Sequence, residues 1–190
     1  HRAKENFLEF VNYLLDQIKT FDESLETVTP KECIFKINRD IRFSNDKSPY
    51  KINFGAAMAE GGRHSTNAGY YVHLQPHHQS FAGGGLYMPP GETLKRVRQE
   101  IDYNAEELKN IVEAPRFKET FGPIQGEQLK TAPKGYPKDH PNIDFLRLKS
   151  YVVFQNFSDE EVLEENFKER VVETFKTMQP FNEFLNVAIS

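Results

Sequence analysis

Apolar and polar residues follow two different rhythms along this chain. Near the N-terminal end the apolar positions recur every three or four residues, at Phe7, Val11, Leu14, Leu15, Ile18 and Phe21. The same spacing returns in the middle of the chain, at Leu94, Val97, Ile101, Ala105 and Leu108. Such stripes are typical of helices that bury one face. They predict helices over residues 3–21 and 92–112.

Between these two helices the rhythm changes to a period of two. Apolar residues alternate with polar ones over residues 33–43, which predicts a half-buried strand. Arg39 falls on the apolar side of this alternation and is the first residue to depart from it. Small, β-branched and aromatic residues predict further strands, at residues 53–60, 69–75, 80–88 and 149–157. Three successive glycines in the 80–88 segment suggest a bulge or a closely approaching group.

The C-terminal third carries the clearest helix start. Ser158 can cap a helix, Glu161 can bond back to it, and Phe157 can pack on Val162. We predict a helix from 158 to about 178, with Pro180 ending or kinking it before a last helical segment. A short helix over residues 115–121 is also predicted, ahead of Gly122 and Pro123. Helix, sequential strands and further helices indicate an α+β fold with an antiparallel-dominated sheet flanked by helices.

Length and composition restrict the class of protein. A chain of 190 residues fits one domain, residues 1–190. With 38% hydrophobic and 27% charged residues, it is neither a disordered chain nor a membrane protein. A net charge of −4 argues against nucleic acid or a membrane surface as a partner. The oligomeric state has no signal in the sequence.

The chain ends and the cysteine content add two expectations. The single cysteine, Cys33, cannot form an internal disulfide, and no signal peptide is visible. We therefore predict a cytoplasmic protein. Cys33 shares its parity in the predicted strand with Phe35 and Ile37, so we also predict a buried, unmodified thiol. His1 begins directly in a helical pattern without a cap, so we expect the native protein to have more residues upstream.

The segment from Arg39 to Lys51 is the first candidate for chemistry. It holds four cations and two carboxylates in a strand end and a turn-rich loop, where binding groups are often mounted. Arg39 needs a partner if it is buried. One interpretation pairs it with a carboxylate such as Asp46 or Asp139, which would fix the loop. The other makes its guanidinium a fork for a carboxylate or phosphate ligand.

A second candidate lies in the Pro- and Gly-rich segment 129–143. Asp139 and His140 place an acid beside a potential base. One interpretation is that either residue caps the following helical turn; the alternative is a catalytic histidine polarised by a carboxylate. His73, His77 and His78 lack the spacing of a zinc site, so we expect no metal and no cofactor.

These same residues carry a resemblance to a known family. RDIRFSNDKSPYK at 39–51, GGGLYMPP at 83–90, Arg98 and LKTAPKGYPKDHPNIDFLRLK at 129–149 resemble domain-of-unknown-function family 2461 of bacteria and fungi. The resemblance covers nearly the whole chain and implies no activity. It does imply that the polar residues of both loops occupy characteristic positions. The family usually begins with a segment containing a Trp-Phe pair, and this chain has no Trp.

Three hypotheses for the function follow. The first is a binding domain for a small anionic or phosphorylated ligand, with ligand contacts from Arg39, Arg42, Asp46, Lys47, Lys51, Arg98 and Tyr136. The second is a hydrolase- or transferase-type enzyme that uses Asp139 and His140, with cations stabilising negative charge. The third is a structural salt-bridge network without a ligand. For the first two we expect the 39–51 and 129–141 loops to meet in one cleft.

Overall fold

The structure is a computed structural model that describes residues 2–39, 42 and 45–190. Over these residues the chain forms helices and strands in an α+β order, as predicted. The elements are α1 (Arg2–Ile18), α2 (Pro30–Cys33), β1 (Phe54–Met58), β2 (Gly69–Leu74), β3 (Ser80–Leu86), α3 (Gly91–Glu113), α4 (Pro115–Phe121), α5 (Ile143–Leu146), β4 (Tyr151–Phe157), α6 (Asp159–Val162) and α7 (Phe167–Ile189). In this part of the chain no helix has the length and apolarity needed to cross a membrane.

The four strands form one sheet in the order β1-β2-β3-β4. The sheet is antiparallel, as predicted. In the first strand pair Phe54 lies opposite Leu74 and Met58 lies opposite Tyr70. Alternation along β2 buries Tyr70 and Val72 on one face and leaves the intervening side chains half-buried on the other. The strands predicted at 53–60, 69–75, 80–88 and 149–157 are therefore confirmed.

The strand predicted over residues 33–43 is wrong. Cys33 is the last residue of α2, which begins with Pro30. Thr29 caps this turn: its backbone N–H and its hydroxyl both donate to Oε2 of Glu32, at 2.8 and 2.7 Å. A capping box followed by Pro at the first helical position is a strong helix start. This local signal overrides the apolar alternation.

Beyond α2 the same segment pairs only at isolated positions among the described residues. Ile34 forms a single antiparallel bridge to Ala56, and Asn38 forms one to Tyr50. Asp40, Ile41 and Phe43 also belong to the predicted strand, but they lie outside the described residues. Residues 34–39 form an irregular extended stretch.

The helix predicted from 158 to 178 is divided. The predicted cap is present, since Ser158 N–H donates to Glu161 Oε2 at 2.7 Å and Glu161 N–H donates to Ser158 Oγ at 3.1 Å. The helix ends after one turn, however, and α7 starts at Phe167 and runs through Pro180. Pro180 is exposed while the opposite side of α7 is buried. Burial of that apolar side outweighs the lost backbone hydrogen bond at Pro180.

The chain groups into two compact units. The first contains residues 1–65, 70–82 and 155–176. In its core the Phe7 ring of α1 lies 5.1 Å from Phe54, and the Tyr70 ring lies 5.2 Å from Phe175. The Tyr70 hydroxyl donates to Asp22 at 2.7 Å, which satisfies the polar end of a buried ring.

The second unit contains residues 66–69, 83–154 and 177–190. The apolar stripe of α3 is buried in it, as predicted, and the Phe117 ring lies 5.8 Å from Phe181. Two asparagines one turn apart on α7 bind the start of β2. Asn182 donates to the Gly69 carbonyl at 2.9 Å, and Asn186 bonds both the N–H and the C=O of Ala68 at 2.7 and 3.0 Å. These side chains complete the backbone hydrogen bonds there.

Candidate functional site

In the first unit, the ends of the 39–51 segment form a short antiparallel ribbon. Arg39 N–H donates to the Pro49 carbonyl at 3.1 Å, and Lys51 N–H donates to the Ile37 carbonyl at 2.9 Å. These bonds flank the Asn38–Tyr50 bridge. Because side chains alternate along a strand, Arg39 and Lys51 share the ribbon face opposite to Tyr50. As diagonal neighbours they are roughly 7–8 Å apart at the backbone.

Within the loop, Arg39 pairs with Asp46. Its Nη1 donates to Asp46 Oδ2 and to Ser48 Oγ, the latter at 3.1 Å. Ser48 N–H donates to the other oxygen, Asp46 Oδ1, at 2.9 Å. The hydrogen bonds from Ser48, followed by that from Arg39, lower the pKa of the Asp46 carboxyl. The carboxylate is therefore ionised and holds the guanidinium in place.

The Arg39 guanidinium is only partly used by this pair. Its side chain is 30% exposed, so Arg39 is not the buried charge that the strand pattern predicted. Nη1 makes both hydrogen bonds, while Nε and Nη2 donate to no residue that the structure describes. The Nε and Nη2 edge is one of the faces with which arginine binds carboxylate or phosphate in a bidentate manner.

The other predicted cations of this loop are on the surface. Arg42, Lys47 and Lys51 are all exposed. Lys51 forms no ion pair with the described carboxylates. In this unit the structure therefore places an arginine edge and a lysine on one face of a ribbon.

In the second unit, His140 is fixed at both ring nitrogens. Asn142 N–H donates to Nδ1 at 3.0 Å, so Nδ1 is an acceptor. A neutral imidazole then carries its proton on Nε2, which lies 2.7 Å from Oδ1 of Asp102 and donates to it. The side chain is only 12% exposed. Asn142 is the N-cap residue of α5, so His140 binds a backbone N–H directly before the helix but is not itself the cap.

The partner of His140 is therefore not the adjacent Asp139. Asp139 is exposed. Asp102 was missed by sequence reasoning because it lies on α3, 38 residues upstream. One signal was present: Asp102 and Arg98 are four residues apart, which places them on the same helix face. The structure shows a further feature near Asp102 that the sequence does not reveal. Asn104 leaves helical geometry, with φ −128° and ψ 38°, and so kinks α3.

Arg98 and Tyr136 lie near this pair. Arg98 donates from Nε to the Leu146 carbonyl at 2.7 Å and from Nη2 to the Leu148 carbonyl at 3.0 Å. The Tyr136 ring meets that of His140 edge to face, 5.9 Å between centroids. Burial raises the pKa of the Tyr136 hydroxyl, the Asp102 charge raises it further, and Arg98 opposes both. The Tyr136 hydroxyl therefore lies near enough to Arg98 and Asp102 for both charges to affect its pKa.

The predicted site residues thus form two groups. Arg39 meets Asp46 in the first unit, with Lys51 on the same ribbon face, and Arg98, Tyr136 and His140 gather in the second. The meeting of the 39–51 and 129–141 loops in one cleft stays a prediction. No group of three histidine, cysteine or acidic residues suited to a metal occurs within the described ranges 2–39, 42 and 45–190.

The β2–β3 hairpin holds a further polar contact in the first unit. His77 and His78 both have positive φ, 67° and 57°, and their N–H groups donate to the Asp159 carboxylate at 3.1 and 2.9 Å. Asp159 N–H donates in turn to Nδ1 of His78 at 3.0 Å. The two histidines are therefore held in a turn, and the contact joins the hairpin to α6.

Fold and contacts together define an α+β protein in which each compact unit carries a cluster of fixed charged groups. The chain belongs to the family described as conserved hypothetical protein (DUF2461), whose model matches residues 1–184. Comparison with curated proteins gives no match. Comparison with solved structures gives none either.

Proposed function

We propose that this protein binds a small anionic ligand, with phosphate or a phosphate monoester as the chemical class. The observation that carries the proposal is the partly used Arg39 guanidinium. Asp46 and Ser48 hold it through Nη1, and its Nε and Nη2 edge has no partner among the described residues. A guanidinium fixed from one side and available on the other is organised for bidentate binding of an oxyanion.

Lys51 supports a dianion in particular. It lies on the same ribbon face as Arg39 and forms no ion pair with the described residues, so a ligand there would meet two positive charges. Asp46 partly neutralises Arg39, and the ribbon is exposed. We therefore expect weak to moderate affinity that falls as ionic strength rises.

The enzyme hypothesis with Asp139 and His140 stays a prediction with less support. Both nitrogens of His140 are engaged, by Asn142 and by Asp102. A general base needs a nitrogen within reach of the proton it abstracts. His140 would have to break one of these two bonds before it could accept a proton.

Thermal melts with inorganic phosphate test the proposal. Binding at a hundred times Kd stabilises by about 2.7 kcal/mol, which for a chain of this size raises Tm by roughly 5–11 °C. We expect this rise in wild type, its loss in Arg39→Ala and a smaller rise in Lys51→Ala. Lys36→Ala is the matched control, because it removes one exposed positive charge directly before the ribbon.

Sodium chloride at matched ionic strength should produce no comparable rise. A phosphate-dependent rise that persists in Arg39→Ala would contradict the proposal. If Arg39→Ala lowers Tm in the absence of phosphate, and phosphate shifts neither protein, Arg39 serves only to hold the loop. The two outcomes separate the binding hypothesis from the structural one.

A further inference from the structure

A second cluster of charged groups lies in the second unit, and several of its hydrogen-bonding atoms have no partner among the described residues. Binding at this cluster would be independent of the proposed function. Arg98 and Asp102 have opposite charges and lie four residues apart on α3. At this spacing side chains usually meet and form an ion pair. Here they do not, because each is held by other groups.

Arg98 is held by neutral partners. Its Nε and Nη2 donate to the carbonyls of Leu146 and Leu148. These bonds fix the guanidinium without neutralising its charge. None of the carboxylates in the described part of the chain lies within ion-pair distance of it.

Asp102 is held on one oxygen only. Oδ1 accepts from Nε2 of His140, whose orientation is fixed in turn by the Asn142 N–H. Oδ2 receives no hydrogen bond from the residues that the structure describes, and the side chain is 40% exposed. The kink at Asn104 lies two residues farther along the same helix. No Pro or Gly explains this departure from helical geometry, and unexplained backbone outliers often accompany functional sites.

Tyr136 and Asn142 add hydrogen-bonding capacity at the same place. The Tyr136 hydroxyl makes no hydrogen bond to the described residues. Asn142 Oδ1 is buried and has no partner there either. A buried acceptor without a donor is destabilising, so native proteins usually supply a donor for it.

We propose that Arg98, Asp102 and Tyr136 bind a zwitterion, namely the ammonium and carboxylate groups of a free α-amino acid. Arg98 faces the ligand carboxylate and Asp102 Oδ2 accepts from the ammonium group. The Tyr136 hydroxyl bonds either group. A simple anion would be repelled by Asp102 and a simple cation by Arg98. A ligand that carries both charges complements the fixed pair.

The test is a set of thermal melts of the full chain with each of the common L-α-amino acids at millimolar concentration. Acetate and methylammonium serve as probes that carry one charge each. We expect at least one amino acid to raise Tm by roughly 3–6 °C at ten times Kd. Neither acetate nor methylammonium should do so alone.

Two conservative variants assign the effect to this site. Asp102→Asn keeps an oxygen for His140 but removes the charge, and Tyr136→Phe removes only a hydroxyl, so both should fold. Both should lose at least tenfold in affinity by isothermal titration with the amino acid that binds wild type. Asp144→Asn, a change at an exposed carboxylate in the same unit, should bind as wild type.

The proposal is overturned if no amino acid raises Tm or if Asp102→Asn binds as tightly as wild type. It is also overturned if acetate reproduces the effect, since the site would then take an anion only. Phosphate melts of Arg39→Ala report on the ribbon face separately. Failure of one proposal is therefore distinguishable from failure of the other.

Discussion

The glycines at the end of β3 should tolerate no side chain, and alanine at two of them provides a direct test of the packing. A Cβ on Gly84 would overlap the Gly69 carbonyl oxygen and would lie 2.6 Å from Sδ of Met178. A Cβ on Gly85 would overlap the Tyr151 carbonyl oxygen. Gly85 also has φ 102°, in the left-handed region that L residues avoid.

The expected cost follows from what the new atom meets. Overpacking a well-filled site costs about 1–3 kcal/mol. Both alanines would meet backbone oxygens, which cannot rotate away as a side-chain end can, so the top of this range applies. For Gly85 the left-handed conformation adds roughly 1–2 kcal/mol. At roughly 2–4 °C per kcal/mol for this chain length, Gly84→Ala should lower Tm by roughly 6–12 °C and Gly85→Ala by more.

Thermal and urea unfolding of purified variants would measure these effects. Gly91→Ala is the matched control, because a Cβ there meets nothing within 4 Å at the start of α3. In a helix alanine is favoured over glycine by about 0.5–1 kcal/mol, so the control should melt at or slightly above wild type. If Gly84→Ala melted like the control, the strands would not be packed as closely as described. The glycine run would then need another explanation, such as ligand approach.

Three further predictions concern single groups. Burial, followed by the charge of Glu32, raises the pKa of the Cys33 thiol to about 11, so thiol reagents at pH 8 should label it only after unfolding. Hydrogen bonds from the N–H of His78 and then of His77 hold the pKa of Asp159 below its unfolded value. The ionised Asp159 carboxylate therefore stabilises the fold at neutral pH, and this contribution is lost as pH falls through the pKa of the folded state. Asp159→Asn should flatten the acidic limb of a Tm–pH curve. Met88 is 70% exposed while the other two methionines are buried, so peroxide should oxidise it first, as peptide mass spectrometry would show. Rapid labelling of native Cys33, an unchanged acidic limb, or equal oxidation of the three methionines would contradict the respective prediction.

Sequence periodicity predicted the long elements well because each has one face in a core. The stripes of α1 and α3 and the alternation of β2 report burial directly, and burial is what the structure shows at those positions. The 33–43 segment failed for a different reason. Its apolar and polar residues do alternate, but the capped turn at Thr29 and Pro30 makes the start of the segment helical instead. At Pro180 the predicted end of the helix is wrong in the opposite sense, since burial along α7 outweighs a local helix breaker.

In the candidate sites, too, pairs that are close in sequence could be predicted, whereas pairs that are distant in sequence could not. The pairing of Arg39 with Asp46 spans seven residues, and the sequence named Asp46 as a possible partner. The pairing of His140 with Asp102 spans 38 residues and depends on how α3 is placed in the second unit. No periodicity encodes that contact. Adjacent Asp139 was the obvious partner in sequence, yet residues next to each other in a loop often point apart.

Two arginines at characteristic positions illustrate why residue type alone does not assign a role. Arg98 uses Nε and Nη2 on carbonyls of two buried residues, so its removal leaves two acceptors without donors. At about 1–3 kcal/mol for each such group, Arg98→Ala should be clearly destabilising even without a ligand. Among the residues that the structure describes, Arg39 instead donates only from Nη1, to an exposed carboxylate and a hydroxyl, so its removal leaves none of their buried groups unsatisfied. In the sequence, Arg98 and Arg39 are both simply arginines at characteristic positions of the family. The two arginines differ in the nitrogen atoms that are engaged. Arg98 is bonded to the fold through two buried carbonyls, whereas the Nε and Nη2 edge of Arg39 has no partner among the described residues.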